Sequence, residues 1–297
     1  MCGSSVMHSV LSAINRRDLL KLSAVGSAGL IVSSPPRQAH SQTVPVQRVG
    51  ASRDIKVGLS TPLRLTATNI VDLTHTLNKN FPIIPVPGIT FPFAQDPIAT
   101  LEKNGVFANK WTMFDHMGTH IDATNHFDPA GFALEEIPVA SLVAPLVVVD
   151  MRAKAGKDND ALLDVDDLRA WEKMHGPIPP GAMLCMLSGW ANKVVDPHGY
   201  LNMDASNTMH FPGIPVATIE FLLRERDIAG VGVDTISFDP GHDKEFKSHK
   251  ALFKGGKWGV ENIANLQDVP PAGAYAFIGA MKVEGASGGP VRLLALW

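Results

Sequence analysis

The chain has 297 residues, 45% of them hydrophobic and 19% charged, with a formal net charge of −3. This is the make-up of an ordinary globular protein, long enough for one large domain or two small ones with a sizeable core. No apolar run reaches the roughly 18 to 20 residues of a spanning helix. The acidic balance, with no basic run, argues against a nucleic-acid or anionic-membrane binder.

Taken in chain order, the first feature is N-R-R-D-L-L-K at 15–21, then L-S-A-V-G-S-A-G-L-I-V and a polar S-S-P-P-R-Q-A-H-S-Q. The paired Arg16 and Arg17, the apolar stretch and the small-x-small exit at Ala39 and Ser41 resemble a twin-arginine export signal. The competing reading is a short N-terminal helix. Residues 1–42 are therefore expected to be a cleaved leader, 43–67 an N-terminal extension and 68–297 the folded domain, working in the periplasm. Arg16, Arg17, Lys21 and Arg37 against Asp18 give the leader +3, so its removal takes the net charge from −3 to −6. Cys2 leaves with it. Cys185, alone in M-L-C-M-L, is then expected to be a buried structural thiol with no disulfide partner.

Residues 115–127 read D-H-M-G-T-H-I-D-A-T-N-H-F and hold three of the 11 histidines. As a helix the segment would put His116 and His120 on one face but turn Asp122 away, and Gly118, Thr119 and Ile121 are weak helix formers. As a strand, His116, His120, Asp122 and His126 share one face, yet His116 and His126 would stand roughly 33 Å apart. An extended piece bent at Gly118, which lacks a Cβ, and turning again near Asn125 gathers the groups around one point. Two imidazoles and a carboxylate suit a catalytic Zn²⁺ or Mn²⁺. His126, offset from the rest and titrating near neutrality, suits a general base or proton shuttle. The alternative is a polar loop whose histidines cap turns.

Further along, apolar runs at 146–149, 183–187, 230–233 and 274–278 read as buried strands. Residues 165–174 begin acidic and carry apolar side chains at helical spacing, and 216–226 end in basic residues, so both read as helices. Strands alternating with helices, without a composition shift, predict a single α/β domain with a mixed sheet packed by helices.

The stretch H-M-G-T-H-I-D-A-T-N-H-F resembles the pattern H-x-G-T-H-x-D-x-P-x-H-F of the cyclase family of metal-dependent hydrolases, the kynurenine formamidase and isatin hydrolase type. Thr124 stands where the family usually has proline, a change expected to alter turn rigidity rather than remove a ligand. The likeness continues through D-L-T-H-T-L at 72–77, P-I-I-P-V-P-G at 82–88, S-G-W at 188–190, H-F-P-G-I at 210–214, V-G-V-D-T-I-S-F-D-P at 231–240 and H-K-A-L-F-K-G-G-K-W-G-V-E-N at 249–262. It covers about 68–297.

The resemblance implies a swivelling β/β/α fold and one or two divalent ions, Zn²⁺ or Mn²⁺. His116, His120 and Asp122 would bind the first ion. His249 and Glu261 would bind a second, with Asp122 bridging. It also implies a homo-oligomer, dimer or tetramer. Among other residues, His75 is a candidate for lining the substrate pocket and His210 for supporting the site. Trp111, Phe114, Phe127 and Trp190 are candidates for an apolar wall against a flat ring. His175, His198 and His242 are expected at the surface, and Asp234 and Asp239 to fix backbone turns.

A bound divalent ion lowers the pKa of its water from about 15.7 towards 7 and stabilises an oxyanion. The family's substrates are formamides, lactams and related carbonyl compounds. The expected reaction is therefore attack of metal-bound hydroxide on a small amide, with His126 delivering a proton to the departing amine. Two rivals are a metal-dependent lyase or dehydratase acting on a small carbonyl compound and a non-catalytic periplasmic metal- or ligand-binding protein.

Overall fold

The structure, a computed structural model, describes residues 67–297. The proposed leader and nearly all of the 43–67 extension lie outside the described residues. The described residues belong to one compact unit, in agreement with the single domain expected, and no helix among them is long and apolar enough to cross a membrane.

The described residues form ten strands: β1 (Ile70–Asp72), β2 (Ala94–Ala99), β3 (Ala108–Thr112), β4 (His120–Asp122), β5 (Val143–Asp150), β6 (Ala182–Leu187), β7 (Ile228–Val233), β8 (Trp258–Glu261), β9 (Ala274–Ala280) and β10 (Gly288–Leu296). β2 and β3 form a separate antiparallel hairpin, and the other eight form one mixed sheet in the order β1-β10-β4-β8-β7-β6-β5-β9. β5 through β8 run parallel. β10 also pairs with β9 over Val291–Leu296, so the ladder returns on itself and the sheet closes. Closure leaves no open edge along that ring.

The four apolar runs lie inside β5, β6, β7 and β9 because their side chains alternate between two apolar environments. Leu146, Val148, Met183 and Cys185 point into a core inside the closed sheet, with Ile121, Val260 and Leu293. Val147, Val149, Leu184 and Met186 point outward against the helices. Burial on both faces is why the parallel strands β5, β6 and β7 read as continuous apolar runs rather than as an alternation. Cys185 is fully buried and free, and burial raises its thiol pKa.

The helices are α1 (Leu101–Asn104), α2 (Arg152–Ala155), α3 (Val165–His175), α4 (Pro197–Leu201), α5 (Val216–Glu225) and α6 (Lys247–Lys254). α3 starts where Asp164 accepts from the N–H groups of Asp166 and Asp167 while Asp167 accepts from Asp164 N, a reciprocal cap. Leu168 and Trp171 of α3, Ile219 and Leu222 of α5, and Leu252 and Phe253 of α6 complete the outer layer. At about 1.5–3 kcal/mol per large side chain removed from water, these contacts dominate the attachment of the helices.

The D-L-T-H-T-L segment at 72–77 lies almost wholly beyond the first strand. β1 stops at Asp72, and beyond it the Thr74 hydroxyl takes over the ladder, donating to Leu293 O (3.3 Å) and accepting from Leu293 N (2.9 Å).

Candidate active site

β4 carries the geometry. Ile121 points into the inner core, so His120 and Asp122 share the opposite face. β8 pairs antiparallel with β4, placing His120 opposite Glu261 and Asp122 opposite Gly259. Since Trp258 and Val260 of β8 also face the inner core, Glu261 emerges beside His120. β10 flanks β4 on the other side, with Gly288 opposite Asp122.

The segment around β4 bends as its composition predicts. Gly118 adopts φ +68°, a left-handed conformation that glycine takes without a Cβ clash. His120 Nδ1 donates to Gly118 O at 2.9 Å, which leaves Nε2 aimed at Asp122 Oδ1 (3.2 Å) and Glu261 Oε2 (3.5 Å). A 3-10 turn over Thr124–His126 then brings the His126 ring onto that of His116, stacked at 3.8 Å. Thr124 opens this turn, a position that suits proline. Its buried hydroxyl accepts from Phe132 N at 2.7 Å, tying the turn to the following loop by a bond that proline cannot make.

The remote half comes from the loop after β7 and from α6. His249 lies in the first turn of α6, where Asp239 accepts from Ser248 N (2.7 Å), from His249 N (3.3 Å) and from His249 Nδ1. His249 Nε2 therefore faces Asp122 Oδ2 (3.4 Å) and Glu261 Oε1 (3.2 Å). Phe238 stacks on the His249 ring at 3.7 Å, and its N–H donates to Glu261 Oε1 at 3.2 Å. A Cβ on Gly259 would lie 2.5 Å from the Phe238 ring, so only glycine leaves room for that stack.

Electrostatically the cluster is short of cations. Burial disfavours a charged His120, yet the Asp122 and Glu261 carboxylates raise its pKa to about 9. His249 rises as well, against burial, through Asp122, Asp239 and Glu261. Burial also opposes an ionised Asp122, but His116 and His120 hold its pKa well below the usual range. His120 Nε2 and Asp122 Oδ2 are buried without a hydrogen-bond partner. Lone pairs of imidazoles and carboxylates thus converge on common space, an arrangement that needs cations between them. Two triplets have the spacing for an ion: His116, Asp122 and His126, and His120, Asp122 and Glu261. Nitrogen and carboxylate donors of this kind fit Zn²⁺ or Mn²⁺.

All six expected ligand and base residues therefore converge, with Asp122 between the two halves. His126 stands in ligand position as well as beside the cluster. Burial, then the neighbouring His116, pushes its pKa down to about 3, leaving a neutral imidazole. Phe127 meets His126 edge-on at 4.6 Å and His249 at 5.2 Å, and Phe114 lies 5.5 Å from His116. The other pocket candidates are placed differently. His75 is half-buried, its N–H donating to Thr119 Oγ1 and its ring against Phe81. Trp190 is buried with Tyr200, Phe211 and Ile236 and donates to Tyr200 O. Trp111 is exposed on β3, and His210 bonds Asp160 at 2.8 Å.

Asp234 and Asp239, read as turn formers, are both deeply buried and do more than shape loops. Asp234 gathers Ser188 Oγ and the N–H groups of Ser188, Gly189 and Trp190. Asp239 fixes which nitrogen of His249 faces the cluster. Ser287, 171 positions from His116 and without a motif to mark it, also reaches the site: its Oγ lies 2.8 Å from His116 Nε2.

Comparison with known proteins agrees with this geometry. Residues 71–240 match the family described as "Putative cyclase". The chain is 32% identical over 256 residues to isatin hydrolase from Roseibium aggregatum, covering 80% of this chain and 95% of that protein. It is 31% identical over 229 residues to kynurenine formamidase from Bacillus cereus, covering 75% and 94%. The structure of isatin hydrolase A from Ralstonia solanacearum superposes with a TM-score of 0.73 at 34% identity, over 77% of this chain and 91% of that one. This chain belongs to the cyclase family.

Proposed function

We propose that the substrate of this chain is a small aromatic lactam of the isatin kind, opened by hydrolysis of its amide C–N bond. The chain is a metal-dependent amide hydrolase, and the observation carrying that chemistry is the pair of buried, unpartnered atoms, His120 Nε2 and Asp122 Oδ2, within a convergent set of imidazoles and carboxylates. The relatives named isatin hydrolase support the lactam over the formamide, through the higher share of this chain they cover.

His116, His120, Asp122, His249 and Glu261 would hold the divalent ion or ions, Zn²⁺ or Mn²⁺. When bound, such an ion acidifies a coordinated water and polarises a carbonyl oxygen. His126 supplies the proton transfer: its ring is stacked on His116 beside the cluster, where an imidazole can take up a proton and pass it to the departing amine. Phe114 and Phe127 stand beside the cluster and offer an apolar wall for an aromatic ring. Exposed Ile98, Phe107 and Trp111, on or beside the β2–β3 hairpin, support assembly into a homo-oligomer. Arg16 and Arg17 support export to the periplasm.

The test is elemental analysis of the purified protein, followed by assays of the metal-loaded form on isatin, N-formylkynurenine and a simple lactam. The expected result is bound divalent metal and a ring-opened acid from isatin. Hydrolysis of the formamide alone would overturn the lactam assignment, and a metal-loaded protein inert on all three would overturn the hydrolase reading.

A further inference from the structure

His116 is held differently from His120 and His249. His120 and His249 are each anchored through Nδ1, to Gly118 O and to Asp239, and turn Nε2 inward. His116 is reversed: Nδ1 lies 2.6 Å from Asp122 Oδ1, and Nε2 lies 2.8 Å from Ser287 Oγ. Ser287 Oγ in turn donates to Asp115 Oδ2 at 3.0 Å. A hydroxyl has one proton. With that proton given to the Asp115 carboxylate, Ser287 Oγ can only accept from His116 Nε2–H, so the proton that His116 Nδ1 shares with Asp122 Oδ1 at 2.6 Å is the one a metal ion would displace.

The backbone around Ser287 is built for this contact. Ser287 O accepts from Ala123 N at 2.8 Å, fixing Ser287 against the segment that follows Asp122. A Cβ on Gly288 would meet His116 Cε1 at 2.5 Å and Ile121 O at 2.7 Å, so the ring lies directly over the Gly288 backbone. The connectivity Asp122–His116–Ser287 matches that of a hydrolytic Ser-His-Asp triad. The donation to Asp115 argues for the opposite direction of proton flow, with Ser287 as acceptor rather than nucleophile.

We propose that Ser287 and Asp115 are positioning residues that lock His116 with a proton on Nε2, so that it serves the metal through Nδ1 while His120 and His249 serve through Nε2. This rests on the metal-dependent reading above. Groups that orient a metal-binding histidine in this way typically change metal affinity by about 10–100-fold when removed.

The test uses the full chain, ¹⁵N-labelled at histidine and loaded with diamagnetic Zn²⁺, with long-range ¹H–¹⁵N spectra and zinc affinity from competition with a chelator. The wild type is expected to show a slowly exchanging Nε2 proton on His116 and a ligated Nδ1. Ser287→Ala should lose the protected proton and weaken zinc about tenfold, and Ser287→Thr should restore both. Asp115→Ala, which leaves β10 untouched, should act in the same direction by freeing the Ser287 proton to turn towards His116.

Ligation of His116 through Nε2 would overturn the proposal, as would zinc affinity in both alanine variants within twofold of the wild type. Loss of turnover in Ser287→Ala with zinc affinity and the His116 signature unchanged would overturn it in favour of a serine nucleophile. A wild type that takes up no zinc and no manganese would bring down the metal-dependent reading itself. Normal uptake with an unaffected Ser287→Ala would bring down this proposal alone.

Discussion

His116, His120 and Asp122 come from one stretch of seven residues, whereas His249 and Glu261 follow more than 120 residues later. The near half is shaped by local means: strand parity puts His120 and Asp122 on one face, and the Gly118 bend returns a carbonyl to His120. The far half is shaped by pairing and packing. Glu261 arrives because β8 pairs with β4, and His249 because α6 packs on the outer layer with Asp239 gripping its ring. The difference teaches that a compact sequence motif can supply ligand types without completing a site. Asp122, facing both halves, makes them one centre.

The comparison can be broken at that shared residue first. Asp122→Ala should remove metal from both halves, with a loss of kcat/KM beyond the about 100-fold typical of an outer contact; metal analysis and steady-state kinetics check it. A variant that kept full metal content would show that the halves do not share the carboxylate. Next in size, His126→Ala should cut kcat by about 10²–10⁴-fold while leaving metal content nearly intact. If metal departed with it, His126 would belong with the ligands, as its place beside His116 and Asp122 allows.

Asp239→Ala addresses the far half alone. It should weaken metal binding about 10–100-fold and cost about 1–3 kcal/mol through the lost hydrogen bonds to the first turn of α6, measured by chelator competition and denaturant unfolding. Gly288→Ala addresses the near half through its backbone. Its Cβ would press on His116 and on Ile121 O, costing about 1–3 kcal/mol by overpacking, with Tm falling by about 2–4 °C per kcal/mol in a domain of this size.

The smallest effect is expected outside both halves and serves as the control. Arg226 donates twice to Glu172, at 2.7 and 2.8 Å, and holds its carboxyl below the usual pKa. A depressed carboxyl pKa stabilises the fold above its unfolded value of about 4.3. That stabilisation is lost as pH falls through the lower folded value. Glu172→Gln should therefore cost at most about 1 kcal/mol at neutral pH. The gap in Tm from wild type should narrow as pH falls below about 4.3 and close beneath the lowered folded value, with metal content unchanged throughout.

Much of the architecture was legible in advance. The runs at 146–149, 183–187, 230–233 and 274–278 lie within strands, and the helices over 165–174 and 216–226 differ from the observed ones by a residue at the end. Long, uninterrupted apolar segments announce themselves because burial on two faces leaves no polar position. β4 and β8, at three and four residues, are too short to show a period, yet they carry His120, Asp122 and Glu261. The link from His249 to His120 came from family likeness, since spacing alone cannot join residues so far apart.

By itself, the sequence determined the ligand chemistry of 116–122, the bend at Gly118 and the alternation of buried strands with helices. Each depends on residue type, backbone freedom or a short period, all of which are local properties. Only the tertiary structure decided that the sheet closes through β10, that Phe238 and Asp239 hold Glu261 and His249, and that Ser287 reaches His116 across 171 positions. Those contacts depend on strand register and on the space left by Gly259 and Gly288. Register and space arise only when distant segments pack together.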